Sequence, residues 1–254
     1  MQIQGFSCTR PQPEHISEMR ACATAAELDG LVASGAYTTD VSRALYLVAR
    51  KHGGIVTTGV ACCCSADGLG EMIGDRDVDS AAVEERARQI EALGAHAHPV
   101  TIAYEGNMAL DLILGAARSA TPLYNLSNGS EQVVVWRMSR PEAIEAVTAT
   151  FATMGGRVAA GSLEAAATRL VARRAREARP TMDPRAAALH PLVMLVSQTE
   201  LARGTADLLP GEGLLVHRRS SICRRTDHRE GRPSRPSQSS CSRWRPCPPS
   251  TRPR

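Results

Sequence analysis

The sequence predicts an α+β fold: a mixed or antiparallel sheet with hairpins and packed helices, followed by a disordered C-terminal tail rich in Arg, Ser and Pro. Three observations carry this. A Gly53-Gly54 pair and an Asn128-Gly129 pair each separate runs of strand-forming residues, which is how hairpins are written in sequence. Amphipathic helical stretches are interspersed with those hairpins instead of alternating with single strands, which argues against a parallel α/β sheet. From His217 onward no hydrophobic period survives.

In chain order, Pro11 and Pro13 oppose a helix start, so residues 1–20 are expected to be irregular. Ala21 to Ser34 has helical composition, with Gly35 as its stop. Ala44 to Val48 reads as a strand and Ile55 to Cys64 as its hairpin partner. Ala81 to Leu93 reads as a charged amphipathic helix, ended by Gly94. Pro99 to Tyr104 is a strand, and Asn107 can cap a helix reaching about Ala117. Leu123 to Leu126 and Gln132 to Met138 flank the Asn-Gly turn. Ser139 and Glu142, with Pro141 between them, form a capping box for a helix to about Thr153. Ser162 to Ala178 is a further helix whose Arg-rich end suits its dipole.

Composition sets the domain limits. Of 254 residues, 43% are hydrophobic, enough for a core, but only 3% are aromatic, so Ala, Val, Leu, Ile and Met must fill it. Eleven arginines against Asp227 and Glu230 give residues 217–254 a formal charge of +9; with +4 for the whole chain, residues 1–216 carry −5. An acidic body does not read as a nucleic-acid-binding domain. The expected division is an α+β domain over 1–200, an uncertain linker over 201–216 and a disordered basic tail over 217–254. Lys51 is the only lysine, which points to a GC-rich gene, and out-of-frame translation of such a gene yields mainly Arg, Pro and Ser; the tail has that composition. No apolar run reaches about 18 residues, and Met1 to Arg10 lacks the charged-then-apolar pattern of a signal peptide. A cytoplasmic location without membrane association is the resulting expectation.

The candidate sites read as follows. Cys62-Cys63-Cys64 on a strand would point to alternate faces, which favours packing over a metal or redox site. His96 and His98 could begin a zinc site with Glu91 or Glu105, though a loop explains them more simply. Asp75, Asp77 and Asp79 alternate as in a calcium loop but lack its sixth-position Gly and its twelfth-position Glu, where Arg86 stands, so a polar loop capping the next helix is favoured. Gly155 to Ser162 could cradle phosphate before a helix, although it lacks the Lys of a Walker loop and reads equally as a helix–helix connection. Asn125 and Asn128 match glycosylation acceptors, which matter only on secretion.

Gly5 to Glu14; Tyr46 with Gly59-Val60; Glu85-Arg86 through Ile90 to Ala95; Pro99-Val100 and Tyr104; Pro122 to Tyr124; Trp136-Arg137; and Pro141 to Ile144 through Phe151 form an ordered series of segments. Taken in that order, they resemble the bacterial and archaeal domain of unknown function 1015 family. Gln198 to Leu201 also looks family-like. The departures are in the chemistry-bearing motifs. The family's longer N-terminal part, with its Pro-Tyr-Asp-Val segment, is missing around Arg20 to Cys22. Asp75, Arg76 and Val78 stand where the family carries His-Glu-x-Thr, and Gly161-Ser162-Leu163-Glu164-Ala165 falls at its Asp-Gly-His-His-Arg hallmark. That hallmark is similar to one in the ParB/sulfiredoxin-like superfamily, which includes nucleotide binders and free-serine kinases. The resemblance therefore implies an uncharacterised protein that is a non-catalytic remnant without a cofactor. Its alternatives are a ParB-like nucleotide-binding protein or small-metabolite kinase using ATP or ADP with Mg at Gly161, Ser162 and Glu164, and a nucleic-acid binder acting through the basic tail. No catalytic or metal residue is expected, and the partner is unknown.

Overall fold

The computed structural model describes residues 1–73, 78–184 and 186–218, and the backbone of 245–246. The chain opens with β1 (Ile3–Gln4) and β2 (Cys8–Pro11), followed by a 3-10 turn over Pro13–Glu18. The start is thus more ordered than its prolines predict. Pro11 closes a strand, and the fixed φ of Pro13 suits the first position of the 3-10 turn. Helix α1 (Ala25–Ala33) is capped by Thr24, whose hydroxyl accepts from the Glu27 N–H.

Strand β3 (Tyr37–Thr39) leads to the hairpin of β4 (Leu45–His52) and β5 (Ile55–Cys64). Gly53 and Gly54 turn it with φ of +56° and +86°, two consecutive left-handed residues that only glycine adopts without strain. Helices α2 (Ala66–Ile73) and α3 (Ser80–Leu93) follow, the second capped by Asp79 and ended by left-handed Gly94. Next come β6 (Ala95–His96), β7 (Val100–Tyr104) and α4 (Met108–Ala117), which Asn107 caps as expected.

The second hairpin joins β8 (Tyr124–Asn128) to β9 (Glu131–Met138). Asn128 pairs with Glu131, so the turn residues are Gly129 and Ser130, one position later than the Asn-Gly pair predicts, and only Gly129 has a positive φ. Helix α5 (Pro141–Ala152) also starts one residue late for its predicted box: Arg140 is the cap, Glu142 is the second helical residue, and no side chain caps the end. Then come β10 (Arg157–Ala160), α6 (Ser162–Ala178), β11 (Leu192–Ser197), α7 (Gln198–Arg203), β12 (Val216–Arg218) and β13 (Arg245–Pro246).

The main sheet runs β10-β7-β11-β5-β4-β9-β8-β13, with β1 added to the end of β5. Every pairing is antiparallel except β7 with β11. The sheet is therefore mixed and the fold α+β. Four of its strands, β1, β10, β11 and β13, are absent from the sequence reading. β10 has a single β-branched residue, Val158, and β11 is an unbroken apolar run without the alternation of a half-buried strand. A second sheet, β3-β2-β12-β6, packs beside the first.

The main sheet is buried on both faces, and side-chain alternation sorts its residues. Leu45, Leu47, Cys62, Cys64, Val193 and Leu195 face the helices, against Leu69, Leu110, Val147, Phe151 and Ala165. Tyr46, Val48, Ala61, Cys63, Met194 and Val196 face the other way, against Phe6, Cys8, Ile16 and Met19. Leu208, Leu209, Leu214 and Leu215 complete that second layer. The segment 201–216, read as a linker of uncertain status, thus contributes core. The tail boundary also shifts: His217 and Arg218, expected to be disordered, lie in β12, where Val216 and His217 pair with Thr9 and Cys8. The rest of the expected tail, 219–254, lies outside the described residues apart from Arg245–Pro246, whose backbone pairs with β8. Among the described residues no helix is long and apolar enough to cross a membrane.

One buried carboxylate joins the two sheets. Asp40, at the end of β3, accepts from Arg10 of β2 through Nη2 at 2.8 Å and Nε at 3.1 Å, from Arg137 of β9 at 3.2 Å, and from the Tyr46 hydroxyl of β4. Arg10 also donates to the Tyr124 hydroxyl at 3.3 Å. Burial alone would raise the Asp40 pKa, but the Arg10 and Tyr46 hydrogen bonds and the nearby guanidinium charges hold it below the usual carboxylate range. Asp40→Ala leaves a largely buried Arg10 without its anion and is expected to cost about 3–5 kcal/mol. Urea unfolding would show this as a lower midpoint at unchanged slope; a loss below about 1 kcal/mol would place the pair in the class of surface ion pairs.

Candidate functional site

The residues singled out by position, Gly161, Ser162 and Glu164, lie together at the start of α6. Gly161 is its N-cap, left-handed at φ +81°, and no side chain caps the end. A Cβ at Gly161 would meet Val100 Cα at 3.5 Å, so the loop runs close against β7. Ser162 is the first helical residue and is half-buried. The loop before them is not the helix–helix connection anticipated: β10 fills it, pairing with the edge of β7.

Glu164 is turned inward and is 7% exposed. Its Oε2 accepts from Arg86 Nε of α3 at 2.5 Å, and its Oε1 has no hydrogen-bond partner among the described residues. Arg86 is held in turn by Gln89 at 3.0 Å. A second pair, His98 with Glu212, is hydrogen-bonded and close enough for its charges to act on Glu164. Burial pushes the Glu164 carboxyl up, and the Arg86 hydrogen bond and charge only partly offset this. Glu212 moves the other way, lowered by the His98 hydrogen bond.

This four-group cluster could bind or release a proton at Glu164, and its one unsatisfied oxygen could accept a hydrogen bond. The sequence reading had Arg86, His98 and Glu164 in view separately but not as neighbours, and it missed Glu212. A signal existed for Glu164: a carboxylate three residues into an otherwise uncapped helix favours the helix dipole.

The other candidates go elsewhere. Cys62, Cys63 and Cys64 alternate across the sheet, and burial pushes all three thiols up, Cys64 to about 12. His96 and His98 do not converge on one point. His96 lies inside the second sheet, stacked on His217 with ring centroids 6.3 Å apart, while His98 meets Glu212. Glu91 pairs with Arg174 at 3.3 Å and Glu105 is exposed. Asp79 caps α3, whereas Asp75 and Asp77 lie outside the described residues. Asn125 accepts from Gln132 at 2.8 Å. No group of three metal-binding side chains occurs among the described residues.

His217 is buried in the second sheet. Strand register sets it between Cys8 and His96, Phe6 lies edge-on at 5.3 Å, and burial lowers its pKa to about 4.

A family profile described as "Protein of unknown function (DUF1015)" matches residues 7–202. No curated protein and no solved structure matches the chain.

Two outcomes follow from these charges. The unfolded chain takes up a proton at His217 near pH 6.5, the folded chain only near 4, so this residue makes stability fall as pH drops through that window. His217→Leu should flatten the pH dependence of the denaturation midpoint between those values relative to the parent; parallel profiles would refute it. Arg86→Ala leaves Glu164 buried without its cation and should cost about 3 kcal/mol at pH 8. Because Glu164 then holds its proton to still higher pH, the loss should shrink towards pH 5. Urea titrations at the two pH values would check the difference, and equal losses would contradict it.

Proposed function

The chain belongs to the DUF1015 family of proteins of unknown function, and from that premise we propose that it is a non-catalytic member in which the loop before α6 has been absorbed into the packing. The observation that carries this is the Glu164–Arg86 ion pair. The start of a helix attracts an anion through its free N–H groups and dipole. Here a carboxylate of the protein stands three residues into the helix, with the Glu212 carboxylate acting on the same cluster. A phosphate entering this corner would meet negative charge, and Arg86, the nearest cation, is already committed. The resemblance places Asp-Gly-His-His-Arg at this position, and the side chains present are Ser162, Leu163 and Glu164, none of them cationic.

A second reading, a ParB-like nucleotide binder or small-metabolite kinase using ATP or ADP with Mg, has one observation in its favour. Gly161 is left-handed ahead of an uncapped helix, and Glu164 keeps one oxygen open. Turnover separates the two readings. The full chain, incubated with ATP and Mg with and without free serine, is expected to release ADP no faster than a protein-free control. Protein-dependent release that Glu164→Gln abolishes would overturn the non-catalytic reading. A third reading, nucleic-acid binding by the tail, concerns residues almost wholly outside those described; it requires affinity that falls steeply with salt.

A further inference from the structure

Helices α2, α3 and α6 enclose an open groove of about 610 Å³, within the size range of small-molecule sites. Four arginines of α6 line it, and three of them, Arg169, Arg173 and Arg176, recur at the spacing that places them on one helix face. Two of the four are committed. Arg174 holds Glu84 through two contacts of 2.6 and 2.7 Å, and Arg176 holds Asp67 through two of 2.8 and 2.6 Å. These bidentate pairs fix the walls of the groove.

The other two are held less firmly: the charges of Arg169 and Arg173 act on Asp67 and Glu84, but neither is hydrogen-bonded to those carboxylates among the described residues. Arg169 makes no ion pair among the described residues. Its guanidinium lies over Gly70, where a Cβ would stand 2.8 Å from Arg169 Cζ, so the glycine makes the room it occupies. Among the described residues Arg173 makes one ion pair, with Glu177 at 3.8 Å, and both side chains are about two-thirds exposed. Arg169 and Arg173 are four residues apart, the spacing at which like charges on a helix repel. An anion seated between them would remove that repulsion. A guanidinium presents a planar fork that matches phosphate oxygens two at a time, and two forks on one helix face can share a single phosphate group.

We propose that this groove binds a phosphate group, either inorganic phosphate or the phosphate monoester of a small metabolite, between Arg169 and Arg173. The site uses none of the residues at the start of α6, so it is independent of the catalytic question raised there. The test is thermal unfolding of the full chain in chloride buffers of matched ionic strength. Inorganic phosphate and glycerol phosphate are titrated separately into the parent and into the double variant Arg169→Gln, Arg173→Gln. Millimolar ligand should raise the parent midpoint by about 2–4 °C and leave the variant unmoved, with circular dichroism showing the variant folded. A shift with both ligands would assign recognition to the phosphate alone, and a shift with the ester only would bring in the rest of the groove. Absence of any shift in the parent would overturn the proposal. So would an equal shift in the variant, which would place the binding elsewhere on the chain.

Discussion

The Asp40 carboxylate is the interaction on which the two-sheet arrangement depends. Its partners come from β2, β4 and β9, so a single acidic group at the end of β3 fixes the second sheet against the first. The geometry is self-reinforcing. Tyr124, which receives a hydrogen bond from Arg10, also donates to the Pro11 carbonyl, and the Ser7 hydroxyl donates to the Asp40 carbonyl. Arg137 spans onward to Ser42. An acid in low-dielectric surroundings is tolerable only with such compensation. Because the compensation comes from separate strands, the sheets cannot slide past one another without breaking it.

Packing around this point follows from the poverty in aromatic residues. A sheet buried on both faces needs side chains that fill both layers without bulk, and the central strands supply Val, Leu, Ala, Met and Cys. The three consecutive cysteines fit that role, distributing themselves over both faces as small apolar residues do. The two phenylalanines divide between the layers: Phe6 packs beside Tyr46 at 5.1 Å on one face, and Phe151 against Tyr104 at 5.0 Å on the other.

Local features were the readable part of the sequence. The span of α6 from Ser162 to Ala178, the Gly53-Gly54 turn, the Asn107 cap and the Gly94 stop each depend on residues within a turn or two of one another. What depends on distant residues was not readable. Asp40 stands 30 residues from Arg10 and 97 from Arg137, and Glu164 stands 78 from Arg86. The candidate position at the start of α6 was legible through its glycine and through resemblance. The inward turn of Glu164, and with it the charge of the site, was not. β11 escaped for another reason: a strand covered on both faces loses the alternation by which strands are read. The Ser139 and Asn-Gly signals were each off by one residue, because a local motif fixes a turn less firmly than the pairing register that surrounds it.

The position of β11 bears on how the molecule is assembled during synthesis. It is the bridge between β5 and β7, and its pairing of Leu192 with Cys63 closes one of the longest loops in the fold. Until the ribosome has delivered residue 197, the β10-β7 and β5-β4-β9-β8 segments exist only as separate ribbons, each with an open hydrogen-bonding edge and apolar residues on both sides. The closing step is therefore late, entropically costly and slow. During that interval the open strand edges of both segments are free to pair with any neighbouring strand, the hazard that unpaired edges carry.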